Sequence, residues 1–431
     1  MRYGVQKVSG ETKSQGFATD GISSLLAVFG RSLGWVGAAR LITNAGTVVR
    51  YVVFARLLGP FDFGVFGAAT FAEGCLRTLT DPSFSRALVP QAGEIESFLD
   101  TVWLTMAVQG VAVSTALALG AKPLATFFQI GDAYHVFFGI VPMALLISLQ
   151  SPAANGRIAR DLDFRILFVL DVADFSASLI LGGAAILWMR DWRGLIVAVT
   201  AGQAARTAVT YWYFPHRPRM TVDFRKAQHM FRFGRWVMLR RFTDFTAGNL
   251  DNLVVGHLLG ARALGEYQLA FRLGGLPCTE VAMTAGVVVF PLVARGAVNA
   301  ATHRRVFLLA GGAVVIVGIV YALLIRKLGL TLLIRTVGHK WLNAYPPLKV
   351  LCWYGCVRGV LIVGTHVLDG LNVPAYSFGV TLTATLVLST FIYPLTSRWA
   401  TVGAGWAALL SVLIPLILML PLYQKTSRAI G

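Results

Sequence analysis

Apolar runs of bilayer-crossing length dominate this chain. They fall at about 33–55, 63–79, 99–120, 133–150, 164–189, 194–214, 235–258, 263–291, 306–326, 346–368, 375–395 and 401–423. About 20 apolar helical residues cross the hydrocarbon core of a bilayer. A backbone inside hydrocarbon must satisfy its own hydrogen bonds, and a helix does so within one segment. Twelve such runs therefore predict an all-α polytopic membrane protein of about 12 transmembrane helices. The run at 235–258 is the weakest, because Asp244, Asn249 and Asp251 interrupt it. Residues 328–336 form a short apolar piece of re-entrant or interfacial character.

Composition agrees. Of 431 residues, 56% are apolar and 13% charged. Soluble domains carry about 25% charged residues. Too few charges remain to coat a soluble surface, which excludes a cytosolic enzyme, a disordered chain and a collagen-like rod. The net charge is +18. In a soluble chain that excess would suggest nucleic acid. In a polytopic one it marks cytoplasmic loops facing anionic lipid, and no nucleic-acid partner is expected. With the N-terminus inside, the inner segments hold 20 Lys/Arg and the outer ones 10. Both termini are therefore expected to be cytoplasmic. The first residues, MRYGVQKVSGETKSQG, have no adjacent apolar h-region and cleavage site, so no signal peptide is expected.

The chain repeats itself. Shifting residues 35–69 by 201 positions gives nine matches in 35, among them Trp35/Trp236, Arg40/Arg241, Gly59/Gly260 and Gly64/Gly265. The repeat holds six spans, an even number, so both halves enter from the same side. That predicts a parallel repeat about an axis along the membrane normal. The expected division is a tail at 1–32, an N-lobe at 33–214, a basic cytoplasmic linker at 215–234, a C-lobe at 235–423 and a tail at 424–431. The linker reads as the joint between two lobes of six helices each.

Two segments carry a family resemblance. ARLLGPFDFGVFGAATF (55–71) resembles the first-loop signature of bacterial polysaccharide flippases. These belong to the multidrug/oligosaccharidyl-lipid/polysaccharide exporter superfamily. FRKAQHMFRFG (224–234), DNLVVGHLLGARALGEYQLAFRLGGLP (251–277) and FPLVAR (290–295) resemble their second half, in the same order. Residues 368–374, LDGLNVP, depart from the family's common small-residue-Gly-Arg/Lys-Pro form and leave the substrate subgroup open. The resemblance implies two six-helix lobes around a central cationic cavity, and alternating-access translocation of an undecaprenyl-pyrophosphate-linked oligosaccharide across the bacterial inner membrane for exopolysaccharide, O-antigen or capsule synthesis. Polymerase or export machinery would be the downstream partner.

Such a headgroup is anionic, and arginine binds phosphate bidentately. A cation inside the bilayer is costly unless it serves a site. Arg40, Arg50, Arg241, Arg272 and Arg358 are the candidate substrate-binding residues. Arg40 and Arg241 are repeat-equivalent; their alternative is snorkelling to headgroups. Arg50 is the repeat partner of Asp251. That pair reads either as an interlobe salt bridge or as a substrate cation facing a coupling carboxylate. Arg272 has Glu266 and Glu280 as alternative partners, and Lys349 reads as snorkelling. Asp171, Asp174, Asp244 and Asp251 are the candidate coupling carboxylates for H+ or Na+. For Asp171 and Asp174 the alternative is neutralisation by Arg165, Arg206 or Arg50. Asp244 and Asp251, seven apart, share a face with Arg241 and Gly248 that is expected to line the cavity. Glu73 and Arg77 read as a plain i, i+4 pair.

Trp103, Trp188, Trp192, Trp212 and Trp353 either stack on sugars or anchor at the membrane interface. Cys75, Cys278, Cys352 and Cys356 sit in apolar runs without a His partner, so packing is expected and a metal site is not. There is no G-x-x-x-x-G-K-[ST], H-E-x-x-H or nucleophile elbow. The reading is therefore a transporter, not an enzyme, with no cofactor. A drug/cation antiporter would want an acidic cavity, and a membrane polymerase or glycosyltransferase would want larger outer loops.

Overall fold

The computed structural model describes residues 46–80, 95–152, 164–214, 218–220, 224–294, 300–371 and 373–430. Arg40, Arg165, the N-terminal tail and most of the basic linker lie outside these residues or have undescribed side chains. The described residues are helical nearly throughout. In chain order the elements are α1 (46–57), α2 (Pro60–Thr80), α3 (Ile95–Leu119), α4 (Ala121–Phe127), α5 (Val141–Ser148), α6 (Phe164–Met189), α7 (Trp192–Tyr213), α8 (Phe224–Ala294), α9 (Ala300–Thr336), α10 (Tyr345–Gly370) and α11 (Pro374–Ile430).

Among the described residues, six stretches are long and apolar enough to cross a bilayer by composition. One of them, Ala375–Met419, spans 45 residues and covers two of the apolar runs. Of the helices long enough for that measure, α2, α7 and α8 fall short of it and carry much of the intramembrane charge. Polarity turned toward neighbouring helices lowers their apparent hydropathy.

Two boundaries differ from the sequence reading. The run at 133–150 is not one helix: it starts as the 3-10 turn Gly131–His135, continues as Val136–Gly139 and restarts as α5. Pro142 stands at the first turn of α5, where its missing N–H leaves no internal bond unmade. Residues 328–336 are the continuous end of α9, not a separate re-entrant piece. The runs 235–258 and 263–291 are two helices, as the sequence reading has them, that meet end to end within α8 at Gly260, with φ +79°. Only glycine takes that conformation cheaply. Its repeat partner Gly59 lies between α1 and α2, so the break recurs at the same place in each half.

The halves meet around that break. A β-carbon on Gly64 would occupy the space of the Ala261 carbonyl, and one on Gly265 would occupy that of the Pro60 carbonyl. Residues 60 and 261, like 64 and 265, are 201 apart, so the two contacts exchange under the repeat. Further contacts follow the same reciprocal logic. Trp341, wholly buried, donates its indole N–H to the Ala55 carbonyl at 2.8 Å. On the other side Phe128 packs on Gly256, the residue equivalent to Ala55. Arg56 Nη1 donates to the carbonyls of Ile334 and Arg335, each at 3.3 Å. Its equivalent, His257, stacks on Phe127 at 4.3 Å and accepts at its own carbonyl from Gln129 Nε2 at 2.6 Å. This clasp joins the halves at the end where α1 gives way to α2.

Candidate functional site: a cavity between the repeat halves

Behind the clasp lies a cavity of about 540 Å³, within the ~300–1,000 Å³ usual for small-molecule sites. One wall is α1 and α2, with Tyr51, Phe63, Phe66 and Thr70. Both parts of α8 form the opposite wall, and α10 closes the side with Tyr354 and Arg358. The equivalence is visible here too: Tyr51 and Asn252, 201 apart, both line the space.

Two of the five predicted arginines reach this cavity, Arg272 and Arg358. The Arg272 guanidinium lies 5.0 Å from the centre of the Tyr51 ring, a cation–π contact between the halves. Neither glutamate considered as its partner is shown to hold it. Glu266 is taken by Arg262 at 3.6 Å and by Asn343 at 3.3 Å. Glu280 lines the same cavity. Arg358 donates to the Tyr354 hydroxyl and lies over that ring at 5.6 Å. Phe271 packs on Tyr354 at 5.1 Å between centroids. Aromatic faces therefore hold both guanidiniums in place while leaving N–H donors for an anion.

Arg40 lies outside the described residues, and the remaining described candidates lie elsewhere. Arg50 pairs with Asp174 at 3.3 Å, within its own half. The interlobe bridge to Asp251 is not formed. Arg206 binds Asp171 at 2.7 Å. Both carboxylates of α6 are thus matched by arginines, as the neutralising alternative expects. Asp244 is exposed, 4.0 Å from Arg240, and Arg241 is half-buried; neither lines the cavity. The expected polar stripe is therefore split: Gly248 reaches the cavity, but its acidic members do not.

Asp251 is buried, 2% exposed, directly behind the cavity wall. Its carboxylate accepts from the Tyr267 hydroxyl at 2.8 Å and from the Asn252 backbone N–H at 2.8 Å. Among the described residues no cation lies within 4.0 Å of it. The neighbouring Asn252, together with Asn249, Gln268 and Thr279, adds neutral hydrogen-bonding groups to the cavity surface. Sequence reasoning centred on charge missed these amides and Tyr51. The 201-residue register offered a usable signal for two of them, since it pairs Asn252 with Tyr51 and Gln268 with Gly67.

Arg77 does more than the plain pair expected of it. It binds Glu73 at 2.5 Å, Ser148 Oγ at 3.0 Å and the Ala144 carbonyl at 2.8 Å, tying α2 to α5. The tryptophans do not line the cavity: Trp188 and Trp212 are 83% and 85% exposed, and Trp103 donates to Tyr211 at 2.8 Å. Cys278, Cys352 and Cys356 are buried where α8 packs on α10.

Comparison with solved structures shows which fold this helical bundle shares. The lipid II flippase MurJ in an inward closed conformation superposes with a TM-score of 0.77 at 14% identity, over 91% of this chain and 89% of that one. An inward-facing multidrug resistance transporter of the MATE family, in the MOP superfamily, gives 0.70 at 14% identity, over 91% and 98%.

The family itself is given by sequence. Residues 53–346 match the model of the polysaccharide biosynthesis protein family, and the chain belongs to that family. It is similar to the teichuronic acid biosynthesis protein TuaB of Bacillus subtilis, 23% identical over 75% of this chain and 67% of that protein. The lipopolysaccharide biosynthesis protein WzxC of Escherichia coli is 22% identical over 76% and 66%. The succinoglycan biosynthesis transport protein ExoT of Rhizobium meliloti is 24% identical over 61% and 53%. The alignments thus span about two thirds or less of these relatives' length. The chain is a multi-pass membrane protein of the polysaccharide biosynthesis family.

Proposed function

We propose that this protein flips an undecaprenyl-pyrophosphate-linked oligosaccharide from the cytoplasmic to the outer face of the bacterial inner membrane. Two lobes, 33–214 and 235–423, would rock about the pseudo-twofold and expose the cavity to each side in turn. The observation that carries this reading is the cavity chemistry. Arg272 and Arg358 answer a pyrophosphate, and the amides of Asn249, Asn252 and Gln268 answer sugar hydroxyls. Phe63, Phe66 and Phe271 offer faces on which sugar rings can stack. Two guanidiniums face one lining carboxylate, Glu280, a balance that disfavours a drug/cation antiporter.

By the Lys/Arg count, the clasped end is the outer one, both termini are cytoplasmic, and this conformation admits substrate from the cytoplasm. Transport would use no cofactor beyond a coupling H+ or Na+. Of the four candidate carboxylates, Asp171, Asp174 and Asp244 face arginines. Asp251 is the better coupling residue, because binding a proton or cation would relieve a buried negative charge. A polysaccharide polymerase or export complex would take the product.

The test is the sidedness of the lipid-linked glycan in cells lacking the protein. The glycan should accumulate on the cytoplasmic face. The natural chain should clear it, and Arg272→Ala or Arg358→Ala at matched membrane levels should not. Glycan reaching the outer face without the protein would overturn the assignment.

A further inference from the structure

A second cavity, of about 510 Å³, lies away from the central one, between the second half of α9, the start of α10 and the part of α11 that follows its break at Trp399 and Ala400. Ala322, Leu323 and Val350 supply its apolar wall. Its polar groups are Arg326, Lys349, Tyr345, Trp353 and Trp406. No carboxylate lines it. Among the described residues neither Arg326 nor Lys349 has an acidic partner within 4.0 Å.

The crevice is built, not a gap left by poor packing. The Tyr345 hydroxyl donates to the Ile325 and Arg326 carbonyls, each at 3.4 Å, which pins the start of α10 to the end of α9. Lys349 Nζ lies 5.1 Å from the centre of the same ring. Trp353 follows Lys349 by four residues and shares its helix face. A β-carbon added to Gly405 would meet Val350 at ordinary contact distance, so α11 runs beside α10 here, and the next residue, Trp406, flanks the opening. Trp353 and Trp406 are 46% and 44% exposed. Cations beside half-exposed indoles over an apolar wall match the depth of lipid headgroups.

We propose that this crevice binds one anionic phospholipid, its headgroup phosphate between Arg326 and Lys349 and an acyl chain along Leu323, Val350, Trp353 and Trp406. The central cavity offers amides for sugars. This one offers cations, a phenol and two indoles as its polar groups, so its chemistry fits a small anionic headgroup and not a glycan. Basic pockets between spanning helices bind lipid headgroups for the same reason. The inference is independent of what the central cavity carries.

The test uses the purified full-length chain, native mass spectrometry, and titration with phosphatidylglycerol, phosphatidylcholine or undecaprenyl phosphate. One phosphatidylglycerol should be retained in preference to phosphatidylcholine. Each cation near an anionic group is worth about fivefold in binding. R326Q and K349Q should each weaken retention by about that factor, and R326Q/K349Q should abolish the preference. K349R should keep it, and R272Q in the central cavity should leave it unchanged. Dibrominated phosphatidylglycerol should quench tryptophan fluorescence less in W353F/W406F than in the natural chain. Equal retention of both phospholipids, loss in R272Q but not in R326Q/K349Q, or a crevice preference for undecaprenyl phosphate would each overturn the proposal.

Discussion

Gly64 of α2 lies directly on the carbonyl of Ala261, which opens the second part of α8. The repeat image of this contact, Gly265 on Pro60, is present as well. Such a pair lets two helices meet backbone to backbone at one end while side chains hold them apart beyond it. There a cavity opens between Phe66 and Thr70 on one helix and Phe271 and Thr279 on the other.

A methyl group at either glycine should therefore act on the clasp. Gly64→Ala and Gly265→Ala should each cost about 1–3 kcal/mol through overpacking, because a backbone carbonyl cannot swing aside like a side chain. The double variant should cost less than the sum of the two, since the first separation relieves the second contact. Thermal unfolding of the purified chain checks this; full additivity would show that the contacts are independent.

Two roles compete for Asp174. If it neutralises Arg50, then Asp174→Asn should impair transport and the exchange Arg50→Asp with Asp174→Arg should restore much of it. A coupling carboxylate would not tolerate the exchange. Glycan sidedness in complemented cells distinguishes the outcomes. The same logic applies to Asp171 and Arg206, bonded at 2.7 Å.

Asp251 should separate stability from transport. Asp251→Asn retains an acceptor for the Tyr267 hydroxyl and removes the buried charge. It should leave the melting temperature equal or higher while abolishing ion-driven flipping. Tyr267→Phe instead strands the carboxylate and should cost about 1–3 kcal/mol. Unchanged transport by Asp251→Asn would exclude it as the coupling site.

Arg77 should prove a structural hub. Arg77→Ala leaves Glu73, 6% exposed, buried beside an emptied site. Loss of one partner of a buried pair costs about 3–5 kcal/mol. Arg77→Met combined with Glu73→Leu should recover part of that loss by removing both charges. Membrane yield and melting temperature read the difference; equal loss in both variants would point to the Ser148 and Ala144 bonds instead.

Much of this was legible in the chain itself. Apolar runs of bilayer length predict helices because no other local structure satisfies the backbone in lipid. The 201-residue register located Gly59, Gly64 and their partners before any contact was visible, since a residue needed for close approach is needed twice in a repeat. Arg358 stood out as a charge that a lipid-facing position would not tolerate, whereas the register pointed first to Arg40 and Arg241, and Arg241 does not line the cavity. The tertiary structure decided what those charges meet. Arg50 had Asp251 as its repeat partner, yet Asp174, 124 positions away, lies closer once α1 packs beside α6. Asp251 was assigned to a cavity face that Asn252 takes instead, because the rotation of a helix about its axis is set by its neighbours and not by its own order of residues. The amides and aromatic faces of the cavity stayed hidden for the same reason: a polar residue in a span announces that it avoids lipid, and only packing shows which helix, cavity or ligand it turns toward.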